Sequence, residues 1–411
     1  MQKKLVFLIV FAISAFFFQA CEDGDDMKPT QGFKVTIENV FEGKDYFTSG
    51  TTDAIGPGGM YSFSFNAGKG HYLSLATMFV QSNDLFYAPA MDGIPLYDGS
   101  GNAVTGDMTA MINLWDAGTE VNEEPGAGPN QAPRQSGPNT GMDENGNVML
   151  VNDAYTYPDD EDVIMLSLAH DGGTEFTATI KNVSNAGAFQ TPLAPGVWVV
   201  HSEDQTPLFM SGSAASAGLE GLAEDGNNVD IASELDDNSG LVSPFAPGAF
   251  AIFASDNFLF MDGQVASPEL EALAEDGNPS GYTTAFNTPV GGASPAPIFP
   301  GESYEFTFNA SDGDMLSFAT MLVQTNDLFI GPMGISLFTN GQPISGDITS
   351  SMKLWDAYTE VNELPGAGNN QAPRQSGPNT GTDESGHVME VSDGFTYPSI
   401  SSMIKVTITG M

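Results

Sequence analysis

The chain contains an internal duplication in which loop residues are repeated almost unchanged. Residues 73–158 match residues 316–398, and the two copies differ in length by three residues. The sequence Leu-Trp-Asp-Ala-Gly-Thr-Glu-Val-Asn-Glu at 114–123 returns at 354–363 with one change, Gly118 to Tyr358. Asp, Asn, Gly and Pro are frequent in the repeated stretches, and these residues favour turns. Loops that are kept twice in one chain indicate a function located in the loops.

The first 21 residues follow the pattern of a bacterial export signal. Two lysines precede an apolar run over residues 5–18, which is too short to span a bilayer comfortably. The run ends in Ala20-Cys21, which resembles the lipobox of bacterial lipoproteins, although Phe18 stands where that pattern favours Leu. We expect Cys21, the only cysteine, to carry a lipid. An ordinary signal peptide with an incidental cysteine is the alternative.

Residues 22–32 are polar and acidic and predict a flexible tether. Acidic residues directly after a lipobox cysteine resemble the surface-export signal of some bacterial lipoproteins. We therefore expect a lipid-anchored protein of the cell envelope, in the outer membrane, that faces either the periplasm or the medium.

The charge balance of the chain is strongly acidic. Eleven basic residues stand against 53 acidic residues, so the formal net charge is -42. Such a charge repels nucleic acids and anionic membrane surfaces, and it attracts cations. Nucleic acid is therefore excluded as a partner, and contact with the membrane is expected only through the lipid anchor. Adaptation to a salty medium would explain the same charge.

The hydrophobic pattern predicts strands. Phe33, Val35 and Ile37 alternate with polar residues, and residues 73–80 form a nearly continuous apolar run, typical of a central strand covered on both faces. The chain has 47 Gly and 26 Pro and little helical periodicity. We predict an all-β protein with two antiparallel β-sandwich units, an N-terminal unit over residues 33–170 and a C-terminal unit over residues 171–411.

A smaller repeat, at about residues 195–277, is assigned to the C-terminal unit. Pro-Gly followed by two apolar residues leads in each copy to a Leu-Glu-x-Leu-Ala-Glu-Asp-Gly segment. Ser267 is a plausible N-cap, Pro268 suits the first helical position, and Gly277 suits the C-terminal stop. Each copy therefore predicts a strand followed by a short helix. The Ala-Glu-Asp-Gly ends are interpreted as helix-ending turns rather than as cation sites.

The loop motifs resemble the spondin N-terminal domain in its bacterial form. The resemblance rests on Pro-Gly-Glu-Ser-Tyr-Glu at 300–305, on residues 316–329 with their Thr-Asn-Asp, and on Trp-Asp-Ala at 355–357 with Thr359 and Glu360. It extends to the Leu-Glu-x-Leu-Ala-Glu-Asp-Gly segments and to the Asn-Gln-Ala-Pro-Arg-Gln loops. Together these motifs cover nearly all of the chain that follows the signal.

The resemblance implies an eight-stranded antiparallel sandwich, similar to the calcium-dependent membrane-binding sandwiches, with a divalent cation among the loops at one end. Animal members of the family are matrix and cell-adhesion proteins. They carry disulfides that a chain with one cysteine cannot form within itself, so their partner contacts are not carried over.

The residues independently favour calcium. Ca²⁺ takes six to eight oxygens, mainly from carboxylates and carbonyls on turns. We predict one Ca²⁺ per unit, and the candidate ligands are Asp84, Asp116 and Glu120 in one copy and Asp327, Asp356 and Glu360 in the other. The alternative is that the aspartates only cap turns through backbone N–H groups.

Arg134 and Arg374 are the only arginines and occupy equivalent positions. We predict that their planar guanidinium groups hold the long loop by binding a carboxylate or loop carbonyls. Binding of a ligand carboxylate is the alternative. Trp115 and Trp355 are interpreted as core anchors beneath the loop rather than as platforms for sugars.

These features favour a non-enzymatic cell-envelope binding or adhesion protein whose partner is an unidentified extracellular glycan or protein. A calcium-dependent glycan hydrolase is the rival, because pairs of Asp and Glu can perform acid–base catalysis. A structural spacer of the envelope is the third option. The sequence shows no nucleophile motif and no phosphate-binding loop.

Overall fold

The computed structural model of the protein describes residues 30–203, 205, 208–255 and 258–411. The first twelve strands are β1 Gln31–Asn39, β2 Thr48–Thr51, β3 Met60–Asn66, β4 His71–Met78, β5 Leu85–Pro89, β6 Ile94–Pro95, β7 Gly106–Asp107, β8 Ile112–Asp116, β9 Met149–Leu150, β10 Ile164–Gly172, β11 Glu175–Asn182 and β12 Val197–Ser202. The later strands are β13 Gly248–Phe253, β14 Ala285–Phe286, β15 Ser303–Ala310, β16 Met315–Met321, β17 Leu328–Gly331, β18 Ile335–Ser336, β19 Phe338–Thr339, β20 Gln342–Pro343, β21 Gly346–Asp347, β22 Lys353–Asp356, β23 Met389–Glu390 and β24 Ile404–Gly410.

The helices are few and short. The α-helices are α1 Ala217–Asp225, α2 Val229–Asp237, α3 Pro268–Asp276 and α4 Ile400–Met403, and the 3-10 helices are Thr109–Met111, Asp160–Asp162, Ser184–Ala186, Pro279–Gly281 and Thr349–Ser351. None of the helices in the described ranges is long and apolar enough to cross a membrane. The predicted all-β fold with antiparallel sandwiches is confirmed.

Two sandwiches of the same design make up the fold. Module 1 packs the sheet β3-β11-β10-β7 against the sheet β2-β12-β4-β5-β8-β9. Module 2 packs β15-β1-β24-β21 against β14-β13-β16-β17-β22-β23. In both modules the larger sheet is also covered on its outer face by helices, α1 and α2 in module 1 and α3 in module 2. This double cover explains why β4 is a nearly continuous apolar strand.

The strand pairing differs from the expected boundaries of the two units. β1, which was expected to open the N-terminal unit, lies in module 2, where it pairs with β15 on one side and with β24 on the other. Phe33, Val35 and Ile37 alternate as predicted, but they are fully buried in the core of module 2. β11, which was expected to open the C-terminal unit, lies in module 1 between β3 and β10.

A tight hairpin gives the physical reason for the positions of β1 and β11. β10 and β11 are joined through Gly172 and Gly173, whose φ angles of 112° and 57° suit glycine. The hairpin places β11 beside β10, so the position that β1 would need in module 1 is occupied. β1 therefore fills the equivalent position in module 2.

β1 and β11 are equivalent in detail as well as in position. The side-chain amide of Asn39 at the end of β1 donates to the carbonyl oxygens of Ser243 and Ile298. Asn182 at the end of β11 donates in the same way to Ile55 and Thr191. Each buried amide joins the end of its strand to the segments that pass over the core.

The smaller repeat is also divided between the modules. α1, the first Leu-Glu-x-Leu-Ala-Glu-Asp-Gly helix, belongs to module 1 and not to the C-terminal unit, because it follows β12, which pairs with β4. The predicted caps of α3 are present. The Ser267 side chain accepts from the Leu270 N–H, Pro268 begins the helix, and Gly277 adopts the left-handed conformation. Each module thus has one strand-and-helix unit.

Candidate metal centre in the paired aspartate loops

Strand pairing brings two aspartates together in each module. Asp84 immediately precedes β5, and Asp116 is the last residue of β8, where it pairs with Leu85. In module 2, Asp327 precedes β17 and Asp356 ends β22 in the same register. The two aspartates singled out in each copy therefore lie on neighbouring strands, although they are about 30 positions apart in the sequence.

Only one oxygen of Asp84 has a hydrogen-bond partner among the residues that the structure describes. Its Oδ2 atom accepts from the backbone N–H groups of Thr119 at 2.7 Å and of Glu120 at 3.0 Å, and from the Thr119 hydroxyl at 3.2 Å. Its Oδ1 atom is buried and has no hydrogen-bond partner among the described residues. A buried and unmatched carboxylate oxygen is costly unless another group pairs with it.

Asp327 repeats this arrangement. Its Oδ2 atom accepts from Thr359 N at 2.8 Å and from Glu360 N at 3.1 Å, and its Oδ1 atom is likewise buried without a partner in the described residues. Both aspartates are 0% exposed. Because the same oxygen is unmatched at two equivalent positions, the arrangement is a property of the repeated loop and not of one copy.

The second aspartate of each pair is held by its own loop. Asp116 accepts from the Gly118 N–H at 2.7 Å and from the Asn122 side chain at 2.6 Å. Asp356 accepts in the same way from Tyr358 and Asn362, both at 2.7 Å. Part of the alternative interpretation is therefore present, because the aspartates do cap turns. Capping leaves the Oδ1 atoms of Asp84 and Asp327 unexplained.

In each pair it is unfavourable for both aspartates to carry a negative charge. Burial, and next the charge of Asp116, raises the pKa of Asp84 to about 7. Burial, and next the charge of Asp327, raises the pKa of Asp356 to about 7. The pKa of Asp116 is also raised, mainly by burial, and that of Asp327 rises to about 6 for the same main reason. A cation between the two carboxylates would remove this cost.

The predicted glutamates contact the loop that follows each aspartate pair. Glu120 accepts from the Asn83 side chain at 3.3 Å and from the Gly141 N–H at 2.7 Å, and Glu360 accepts from Asn326 and Gly381. Both carboxylates are thus occupied in bracing the following loop. A Cβ atom at residue 141 would lie 2.0 Å from the Glu120 carboxylate, so this contact requires glycine.

Two further aspartates, Asp153 and Asp393, lie near the pairs. The sequence analysis did not identify them as candidates. The charge of Asp153 contributes to the raised pKa of Asp116, and its carboxylate accepts from the Tyr157 hydroxyl at 2.7 Å. Asp393 accepts from Tyr397 at 2.6 Å, and the pKa of this tyrosine is raised by burial first and then by the charges of Asp393, Asp356 and Asp327. The signal was present, because residues 153–158 and 393–398 share the pattern Asp-x-aromatic-Thr-Tyr-Pro.

Glu224 and Glu275, at the ends of α1 and α3, were also missed. Both are 3% exposed. Burial, and next a charge on Glu120 or Glu360, raises the pKa of each to about 7. Each therefore adds a buried acid behind the loop. In the described ranges of the chain, no three His, Cys, Asp or Glu side chains are already grouped to hold a metal ion.

Among the described residues, the arginines donate to carbonyl oxygens and to no carboxylate. Arg134 donates from Nε to the Gly128 carbonyl at 2.7 Å and also donates to the side chains of Gln81 and Gln131. Arg374 donates to Gly368 at 2.8 Å and to Gln324 and Gln371. These contacts fit the loop-holding role predicted for both residues, with carbonyls as the acceptors.

The tryptophans of the repeats lie in the core, as interpreted. Trp115 and Trp355 are 5% and 3% exposed, and their indole N–H groups donate to the carbonyls of Ala88 and Gly331. Cys21 and the proposed signal lie outside the described residues. Models of known protein families give no match to this chain, and comparison with curated proteins gives no significant match.

Proposed function

We propose that this chain is an exported, non-enzymatic binding protein with one Ca²⁺ in each of two spondin-like sandwiches. The observation that carries the proposal is the buried and unmatched Oδ1 atom of Asp84, repeated at Asp327. In each module this oxygen and the neighbouring aspartate would hold the ion. Asp153 or Asp393 would be the nearby third acid, in place of the glutamate favoured from sequence. Loop carbonyls and water would complete the oxygen ligands that calcium requires.

Burial of the aspartates favours binding over catalysis. A general acid or base must come within hydrogen-bond reach of its substrate. Asp84 and Asp327 are enclosed by the loops that bind them and are 0% exposed. A cation can reach such a position during loop closure, whereas a polymeric substrate cannot. The loops then present a surface whose shape depends on calcium, which suits adhesion to an extracellular glycan or protein.

Isothermal titration of the metal-stripped mature protein tests the calcium sites. We expect two ions per chain, one ion in either Asp84→Asn or Asp327→Asn, and none in the double variant. Calcium at a hundredfold excess over Kd should raise the free energy of unfolding by roughly 2.7 kcal/mol per site. Glu120→Gln is the matched control and should keep both ions, since its carboxylate binds the neighbouring loop. Melting that is indifferent to millimolar calcium would show that the aspartates are only turn caps.

Anchoring at Cys21 is a separate part of the proposal. It is motivated by the apolar run that ends in Ala20-Cys21 and by the lack of any other cysteine. Cells given radiolabelled palmitate should label the natural chain and not the Cys21→Ser variant. Equal labelling of both would rule the anchor out.

A further inference from the structure

A small cavity lies where the two modules meet, and its lining carries positive and neutral groups only. It measures about 60 Å³, and one water needs roughly 10–15 Å³ of such a space, so a few waters or a small ion would fill it. Module 1 contributes His71 of β4, module 2 contributes Gln324, and the segment between β1 and β2 contributes Lys44. No acid is among the described residues that line it, in a chain with 53 acidic residues.

His71 brings an unmatched hydrogen-bond donor to this cavity. The side chain is 6% exposed, and its Nδ1 atom accepts from the Gly68 N–H at 3.2 Å. Burial, and next the charges of Arg374 and His201, lowers the pKa of His71 to about 3, so the ring is neutral and its one N–H proton lies on Nε2. Nε2 has no partner in the described part of the chain, yet protein atoms do not enclose it. A donor that opens on a cavity without an acceptor calls for a ligand that accepts.

The equivalent turn of module 2 does not need a histidine. Asp314 stands there in place of His71, and its Oδ2 atom accepts from the Ser311 N–H at 2.7 Å, just as His71 accepts from Gly68. The aspartate therefore caps the same turn and brings a negative charge of its own. At the junction this acid is replaced by a neutral ring with an unmatched N–H.

A positive charge that no carboxylate pairs with lies beside the cavity. Arg374 of module 2 donates from Nη2 to the side-chain oxygen of Gln324 at 2.7 Å. None of the ion pairs in the described ranges includes this arginine. The charge of Glu363 acts on it, but the Glu363 carboxylate accepts hydrogen bonds from Asn370 instead. A partly buried cation without a counter-ion favours the entry of an anion.

Two further donors on the wall are available. Because the Gln324 oxygen accepts from Arg374, the amide nitrogen is left to donate, and it has no acceptor in the described residues. The Lys44 ammonium donates to the Asp237 carbonyl at 2.7 Å and to Glu42 at 3.1 Å, which leaves one of its three hydrogens. The Glu42 side chain is 83% exposed, so its pairing with Lys44 is weak in water. The cavity therefore offers donors from both modules.

We propose that this cavity binds a small monovalent anion, either chloride or a carboxylate group. The anion would accept from His71 and Gln324, and the nearby charges of Arg374 and Lys44 would offset its own. The volume is too small for an acidic sugar or a nucleotide. The net charge of -42 opposes binding only weakly, because charges farther away than about 8 Å are largely screened at physiological ionic strength. The anion would connect groups of both modules, and the proposal uses none of the calcium-loop residues.

Chloride NMR of the mature protein, in a gluconate buffer of constant ionic strength, tests the site. Bound chloride relaxes much faster than free chloride, so we expect the natural protein to broaden the chloride line. His71→Asp copies the residue of module 2, keeps the cap on Gly68 and places a fixed carboxylate at the cavity, so it should reduce this broadening about tenfold. Lys44→Met should also reduce it, because it removes a positive charge from the lining.

Acetate added as a competitor identifies the source of the anion. If acetate reverses the broadening, the cavity also accepts a carboxylate group. If acetate leaves the broadening unchanged, the cavity is a halide site. Both results support the proposal.

Lys353→Met is the matched control, since Lys353 is exposed, pairs with Glu390 and lies outside the cavity lining; its broadening should equal that of the natural protein. The Asp84→Asn, Asp327→Asn double variant should also keep the chloride, which separates this proposal from the calcium sites. The proposal is overturned if the natural protein does not broaden the line. It is also overturned if His71→Asp and Lys44→Met, folded as judged by circular dichroism, broaden it as much as the natural protein does, or if Lys353→Met weakens it as much as Lys44→Met.

Discussion

The aspartate loops of module 1 and module 2 are held by the same hydrogen bonds, whereas the residues where the modules meet differ. Asp84 and Asp327 accept from the same three donors at distances that agree within 0.1 Å. At the junction the copies diverge. Gly68 of module 1 lies so close to the long loop of module 2 that a Cβ atom there would be 2.3 Å from the Ala367 carbonyl oxygen. Its equivalent in module 2 is Ser311.

The difference shows which features belong to the repeated unit and which belong to the assembly of two units. Bonds inside the loops would be needed in any single sandwich, so both copies keep them. The glycine at position 68 and the position of β1 are explained only by the presence of the other module. The modules are therefore not independent copies in a row, because module 2 contains β1, which precedes the whole of module 1 in the sequence.

β1 and β11 give the prediction with the largest effect. Ile37 of β1 and Ile180 of β11 are equivalent residues, 0% and 1% exposed, in the cores of module 2 and module 1 respectively. Replacing either by Ala should cost about 2–5 kcal/mol, because a buried cavity is left behind. Hydrogen exchange should show Ile37→Ala loosening residues 303–410 and Ile180→Ala loosening residues 60–172.

Each variant is the control for the other. Boundaries read from sequence place Ile37 in the N-terminal unit and Ile180 in the C-terminal unit, so they predict the opposite pattern of exchange. If Ile37→Ala loosens residues 60–172 and leaves residues 303–410 protected, β1 does not belong to module 2.

Substitution of the two arginines should have a smaller effect on stability and tests the contact between the modules. Arg374 is half-buried against module 1, and burial lowers its pKa to about 10, whereas Arg134 is exposed. Lysine keeps the charge but loses the planar fork that reaches a carbonyl and two glutamine side chains. Arg374→Lys should cost about 1.5–3 kcal/mol and should speed protease cleavage within residues 362–386. Arg134→Lys should cost about 1 kcal/mol or less.

Denaturant unfolding and timed proteolysis measure both effects. Equal losses in the two variants would mean that contact with module 1 adds nothing to the loop of module 2. Loss of calcium from Arg374→Lys without loosening of the loop would point to a direct role at the metal site.

Local patterns made part of the fold predictable. The alternation in β1, the apolar run of β4 and the caps of α3 are set by neighbours in sequence, so their elements could be identified correctly. The partner of β1 could not, because β1 and β11 have the same Phe-x-apolar-x-Ile-x-Asn pattern and fit either module equally well. Only the Gly172-Gly173 hairpin favours β11 over β1 as the partner of β10. Its effect on β1, more than 130 residues away in the sequence, can be recognised only in the folded structure.

The candidate site was predictable to a similar extent. Repetition identified Asp84 and Asp116, and it also identified Glu120, whose carboxylate accepts from Asn83 and Gly141. A residue that braces a loop is repeated as faithfully as a residue that would bind an ion. Spacing along the chain does not show which way a carboxylate points. Asp153 lies 37 residues after Asp116, in a separate repeated segment, so only the fold brings the two charges together.

The smallest predicted effect concerns Tyr358, the one change within the repeated Trp-Asp motif. Its φ angle is 54°, and the φ of its equivalent, Gly118, is 70°. Side chains other than glycine lose roughly 1–2 kcal/mol in this left-handed region. Tyr358→Gly removes that strain but adds backbone entropy to the unfolded chain, roughly 0.5–1 kcal/mol. We expect a net gain in the free energy of unfolding of about 0.5 kcal/mol, measured by denaturant titration.

The reciprocal variant should behave in the opposite way. A Cβ atom at Gly118 would lie 2.7 Å from the backbone nitrogen of Asn147, so Gly118→Tyr should lower the free energy of unfolding by about 1–3 kcal/mol. In module 2 the tyrosine side chain packs against Gly386, where a Cβ atom would lie 2.5 Å from it. If Tyr358→Gly instead destabilises the protein by more than about 1 kcal/mol, that packing outweighs the backbone strain, and module 2 has adapted to its tyrosine in a way that module 1 has not.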